Sequence, residues 1–279
     1  MVLLPIEAIE EAPEPIARLS RDLLEAAAML SRDEVRYIVQ GYYAIQEYRK
    51  AAANQVRDLN KAGEPARLLT WYVTQASTIE GQIKRAMDRW TDNQRVGRWA
   101  RAQVGIGPVL TAGLLAHIAI ERSPTAGHIW RFAGLDPTAI WTKGEKRPWN
   151  AELKVICWRV GDSFVKFSNH PACYYGHLYK DRKALEVKRD QAGTFAEQAA
   201  LTLKQRVFKD KEVRTKYESG HLPDGRLDLR ARRVAVKLFL AHLQWVMWED
   251  RYGKPPARPF VIEHLSHVNL LRPPAWPID

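Results

Sequence analysis

The residues in this chain best suited to chemistry are cations set among aromatics. The segment Trp141-Thr-Lys-Gly-Glu-Lys-Arg-Pro-Trp149-Asn150 places Lys143, Lys146 and Arg147 between two tryptophans, in a loop that leads into a helix. Basic side chains neutralise phosphates, and exposed indoles stack on unpaired bases. The same pattern also fits tryptophans held in a core with the charges solvated. Asn150 has a side chain able to close a free N–H at the start of the helix that carries Lys154, and both join the RNA-binding set. A second cluster, Arg226, Arg230, Arg232, Arg233 and Lys237, crowds the start of a long helix. Positive charge there opposes the helix dipole, and an anionic partner would offset that cost. A third feature is Gly105-Ile106-Gly107 between two apolar stretches. Two glycines permit a tight turn whose N–H groups hold a phosphate at a helix N-terminus, or a turn that lets two helices pack closely.

Catalytic machinery is thin. The chain contains no HExxH, CxxC, GxSxG or phosphate-binding P-loop. Its eight histidines are scattered, and His264 and His267 lack a third ligand nearby in sequence. No strand-borne pair of carboxylates of the kind two-metal nucleases use is present. Asp136 and Glu145 read as turn residues or local ion-pair partners. Two cysteines, Cys157 and Cys173, cannot build a disulfide scaffold or a four-thiolate zinc site, and they fit a reduced, cytoplasmic setting. No catalytic residue, metal or cofactor is expected.

The charge balance points to a polyanion. Across 279 residues there are 43 Lys plus Arg against 32 Asp plus Glu. Residues 1–34 hold eight acids and three bases, a net −5, so the remainder holds 40 bases and 24 acids, a net +16. A field of that size favours nucleic acid, although a solvated basic surface carries the same charge. With 46% hydrophobic and 27% charged residues, wholesale disorder is excluded. The most apolar run, 104–120, is interrupted by three glycines, Pro108 and His117 and is too short to cross a membrane. The opening MVLLPIEAIEEAPEP lacks a basic n-region, so no secretory signal is expected.

The elements that must position these residues read as helices. Ser31 and Glu34 form a capping box. Val35, Ile38, Tyr42, Ile45, Ala52, Val56 and Leu59 then recur every three or four residues, with Arg49 interrupting the seam. After a turn at 60–65, Leu69, Tyr72, Ala76, Ile79, Ile83, Met87 and Trp90 repeat the pattern. The period predicts an antiparallel helical hairpin over 35–93, packed as a coiled coil or as two ordinary bundle helices. Its surplus apolar area predicts a homodimer, with Tyr42, Tyr43, Tyr72 and Trp90 as anchors. Further helices are predicted after Asn150, over 195–208 behind a Thr194/Glu197 capping box, and over 227–251. No alternating strand is evident, so the fold class is all-α. An acidic arm (1–34), the hairpin (35–93), a nucleic-acid-binding domain (94–251) and an extended Pro-rich tail (252–279) packed on the helices make up the expected organisation.

Two motif sets carry a resemblance. GIGPVLTAGLLAHI followed by FAGLDP resembles the C-terminal domain of bridge-RNA-guided insertion-sequence transposases, which has a helix-hairpin-helix, a Gly-Leu-x-Pro turn and a segment with a catalytic serine. Here that segment, 137–144, has no serine, and the first hundred residues read as helix in place of a RuvC-like nuclease domain. Gly144-Glu-Lys146, Pro171-Ala-Cys-Tyr-Tyr175-Gly176-His-Leu-Tyr179 and Arg230-Ala-Arg-Arg-Val-Ala-Val-Lys237 resemble, in order, three motifs of the Nop domain of box C/D guide-RNA ribonucleoproteins. The TIGR-associated (Tas) proteins join both likenesses. That resemblance implies a prokaryotic or viral protein that binds a short guide RNA and is directed to target DNA by base pairing, without a nuclease of its own. The alternatives are a transposase-derived enzyme acting on DNA and a guide-free helix-hairpin-helix DNA-binding protein.

Overall fold

The computed structural model describes residues 18–257 and 270–278. His264 and His267 lie outside them. The fold is all-α, with eleven α-helices and no strand among the described residues. The chain divides into two compact units between Trp90 and Thr91.

The first unit contains a short helix α1 (Arg21–Ala27), a long helix α2 (Arg32–Lys61) and most of α3 (Arg67–Asp92). The predicted capping box starts α2: Glu34 Oε2 accepts from Ser31 N at 2.8 Å, and Ser31 Oγ accepts from Glu34 N at 3.3 Å. These bonds hold the Glu34 carboxyl below its usual range. The residue that interrupts the apolar seam, Arg49, forks onto Glu80 of α3, with Nη2 to Oε2 at 3.1 Å and Nε to Oε1. Both lie almost equally far along the chain from the turn between α2 and α3, the register of an antiparallel pair. Residues before α2 are tied down as well. Leu19 N donates to Gln82 Oε1 at 3.2 Å, and Trp90 Nε1 donates to the Leu30 carbonyl at 2.9 Å. The boundary expected at 34/35 thus falls inside this unit, within the first turn of α2. Of the expected dimer anchors, Trp90 is buried, while Tyr42 and Tyr43 pack edge to face at 5.2 Å.

The second unit is built on α11 (Asp224–Tyr252). Against it lie α4 (Arg95–Ala102), α6 (Ala126–Phe132), α7 (Ala151–Lys166) and α8 (Tyr174–Gln191). Helix α5 (Pro108–His117) packs on α4 and α7 and buries Val109 and 111–117, so it is apolar all round and serves as core. An aromatic cluster joins four of these helices: Phe239 of α11 stacks on Trp99 of α4 at 6.0 Å and meets Phe164 of α7 and Tyr175 of α8 edge to face at 5.6 and 5.2 Å. Gly176 permits the close approach of α8, since a Cβ there would stand 2.8 Å from Ser168 Cα and 2.9 Å from the Phe164 carbonyl oxygen. The Tyr175-Gly176-x-x-Tyr179 motif is therefore a packing device, with both tyrosines buried.

A satellite core of Phe195, Ala199, Tyr217, Leu222 and Leu227 holds α9 (Ala196–Gln205) and α10 (Lys211–Glu218). The capping box expected at Thr194 is not formed. Phe195 is the N-cap of α9, without a side-chain bond, because its ring is drawn into this core. The described part of the tail packs as expected. Trp99 Nε1 donates to the Pro274 carbonyl at 2.8 Å, Arg95 Nη2 to the Ile278 carbonyl at 2.8 Å, and Trp276 Nε1 to Glu249 Oε2 at 3.1 Å. No helix among the described residues is long and apolar enough to cross a membrane.

Candidate nucleic-acid interface

Helix α11 presents its basic residues in two directions. Arg226, Arg230, Arg233 and Lys237 stand four, three and four residues apart and share one face. Arg226 Nε donates to Tyr217 Oη at 3.3 Å, Arg230 lies 4.4 Å over the Phe195 ring, and Lys237 Nζ lies 4.1 Å over Trp130. Arg233 is exposed and has no ion pair among the described residues. Arg232 points away from this stripe. Its Nε donates to Asp228 Oδ2 at 2.5 Å and its Nη1 to Asp162 Oδ1 at 3.5 Å, so it ties α11 to α7.

Arg230 is also partly committed. Its Nε donates at 2.8 Å to Glu186 Oε2, a fully buried carboxylate that Arg182 and Arg189 also reach. Burial pushes the Glu186 pKa up, but Arg230 and Arg182 outweigh it and hold the group below the usual carboxylate range. Asp228 is likewise held low: burial raises it, and Tyr179, Lys183 and Arg232 more than compensate.

The loop before α7 is ordered by its own tryptophans. Trp141 Nε1 donates to the Glu145 carbonyl at 2.8 Å, its ring meets Trp149 at 6.1 Å, and Arg147 lies 5.5 Å over it. Lys143, Lys146 and Arg147 are exposed. Trp149 is half-buried and already covered. A Cβ at Gly134, whose φ is +66°, would stand 2.8 Å from Trp149 Cγ, and Lys154 Nζ lies 4.2 Å over the same ring. Asn150 is occupied as the N-cap of α7, its Oδ1 accepting from Leu153 N at 2.8 Å. Both therefore act first as struts that fix the loop and aim Lys154.

Electrostatically, the two basic clusters form one field. Lys154 is held below its ordinary pKa by partial burial and then by Arg233 and Arg147. Arg233, exposed as a whole residue, is nonetheless lowered by partial burial and then by Arg230 and Arg226. Lys237 is lowered by burial, raised in part by Asp136, and lowered again by Arg233. Like charges held this close favour a bound polyanion. Between α7 and α11 the surface opens into a crevice of about 190 Å³. Cys157, Gly161 and Val236 contribute apolar lining, as do Leu135, Leu229 and Trp158, while Lys154, Arg232 and Arg233 supply positive charge. Trp158, 57% exposed, is the functional candidate that the sequence reading missed. The only signal for it was its four-residue spacing from Lys154.

The glycine turn goes elsewhere. The Gly105 carbonyl accepts from Ser163 Oγ at 2.5 Å and Ile106 is buried, so this side of the turn packs on α7. Gly107 is the N-cap of α5. The close-packing alternative accounts for Gly105 and Ile106, and the turn does not line the crevice. Among the described residues, no group of three His, Cys, Asp or Glu is placed to hold a metal ion. No family model, curated protein or solved structure matches the chain.

Proposed function

We propose that this protein binds RNA through the basic face shared by α7 and α11, as the protein part of a guide ribonucleoprotein addressed to DNA by base pairing. The observation that carries the RNA-binding part is the convergence of Lys154, Arg233 and Lys237: burial and then Arg233 hold both lysines below their ordinary pKa, and Arg233 lacks a carboxylate partner among the described residues. Phosphate is the group that relieves such a cluster. The order of the Nop-like motifs supports the guide, and base pairing would supply sequence specificity for DNA. In this reading the protein has no nuclease of its own. It self-associates through the hairpin, where Tyr37, Tyr48, Leu68 and Trp71 are exposed apolar candidates for the contact.

The test is the nucleic acid that travels with the purified protein. Short RNA of defined length, removed by RNase with loss of absorbance at 260 nm, is the expected result. RNA-free protein that binds duplex DNA tightly at physiological salt would overturn the guide and favour a guide-free DNA-binding protein. Guide-dependent, metal-dependent cleavage by clean protein would overturn the nuclease-less assignment. A monomer mass by light scattering, with and without RNA, would remove the dimer.

A further inference from the structure

We infer that the crevice between α7 and α11 is a nucleotide pocket of a bound strand, with one unstacked base against Trp158 and a phosphate on Lys154 and Arg233. The inference rests on the RNA-binding reading of this face and adds its occupant. Three features of the crevice select a flat ring joined to an anion. The first is size. At about 190 Å³ it lies below the roughly 300–1,000 Å³ of sites for drug-sized ligands, so it suits one ring system rather than a large cofactor.

The second feature is chemistry. The lining from Cys157, Gly161 and Val236 is apolar, and burial pushes the Cys157 thiol up to about 12, so this part of the pocket carries no charge at neutral pH. The third is the arrangement of charge. Lys154 lies one helical turn before Trp158 on α7, and Arg233 faces it from α11, so the cations border an apolar slot instead of lying scattered over the surface. Arg232 is held by Asp228 and Asp162, which leaves Lys154 and Arg233 as the cations for a phosphate. Among the tryptophans near the basic face, Trp149 is covered by Gly134 and Lys154, whereas Trp158 is more than half exposed. Base–aromatic stacking needs an open π-face and tolerates any base.

The experiment compares an adenosine decamer with a fully abasic ribose-phosphate decamer of equal charge, on the full-length chain. The wild-type protein is expected to prefer the adenosine decamer. Trp158→Ala should weaken adenosine-decamer binding about 5- to 150-fold, leave abasic-decamer binding and melting temperature unchanged, and keep the salt slope. Trp158→Phe should retain most of the preference. Arg233→Ala should weaken both decamers and lower the salt slope. If Trp158→Ala binds the adenosine decamer as wild type does while Arg233→Ala weakens both, the pocket is wrong and the RNA interface stands. If the wild-type protein binds neither decamer, the RNA interface itself fails. AMP that displaces the adenosine decamer at comparable concentration would overturn the strand assignment in favour of a free nucleotide.

Discussion

Arg232 and Arg233 are neighbours in the chain with opposite surroundings. Arg232 bridges Asp228 and Asp162 with its side chain only 22% exposed, whereas Arg233 faces solvent beside Lys154. Replacing Arg233 with Ala should leave the melting temperature unchanged and reduce the salt slope of RNA binding by somewhat less than one unit. Replacing Arg232 with Ala should instead destabilise the second unit by about 2 kcal/mol, because two half-buried carboxylates lose a partner. Binding isotherms at several salt concentrations, run beside thermal melts, separate the two. Equal effects of both substitutions on the salt slope would mean that the ion pairs open to admit phosphate.

Helices α2 and α3 show the same division between type and context. Arg49 interrupts an apolar seam, and the structure supplies its partner, Glu80, itself only 8% exposed. Removing one member of such a pair strands the other charge, while replacing both with apolar residues leaves nothing unpaired. Glu80→Ala should therefore cost the first unit about 3 kcal/mol, at the lower end of buried-pair losses because Arg49 keeps some access to water. The double variant Arg49→Met, Glu80→Leu should return close to the wild-type value. Urea unfolding of the single variants Arg49→Met and Glu80→Leu beside the double variant closes a double-mutant cycle. A coupling energy near zero would show that the pair does not hold the hairpin in register.

At the scale of the whole molecule, the second unit carries an acid-sensitive clasp. The His242 side chain is held between two groups: its Nδ1 accepts from Tyr175 Oη at 2.8 Å, and its Nε2 donates to the Leu271 carbonyl at 3.0 Å, tying the tail to α11. Burial pushes its pKa down to about 4 from an ordinary 6.5, and the bond to Leu271 only partly opposes this. Between these values the unfolded chain takes up a proton that the fold excludes, so stability falls as pH drops through the window, by about 3 kcal/mol in all. Above pH 6.5 His242 contributes no slope. Glu186 and Asp228, held low in the fold, add losses below the ordinary carboxylate range as they are protonated. Urea midpoints measured from pH 4 to 8 should show the decline. His242→Gln should flatten it between pH 6.5 and 4, and an undiminished slope in that variant would assign the effect to other groups.

What the sequence determined by itself is local. Helix periodicity follows from the spacing of apolar residues, and the caps at Ser31 and Asn150 follow from side chains that reach backbone N–H groups within one turn, so the all-α class and the starts of α2 and α7 were legible. Helix α8 was not, because Gly176 and the buried charges Glu186 and Asp190 blur its pattern, and only their partners on other elements explain them. The candidate site divides in the same way. The four-three-four spacing of Arg226, Arg230, Arg233 and Lys237 lies in the sequence, but the carboxylates that occupy Arg230 and Arg232 come from α8, from α7 and from one turn earlier on α11. Residue type makes a tryptophan suitable for either burial or stacking. Contacts distant in sequence decided that Trp149 is covered by Gly134 and Lys154 while Trp158 stays open beside Arg233, because exposure is a property of what packs against a side chain rather than of the side chain itself.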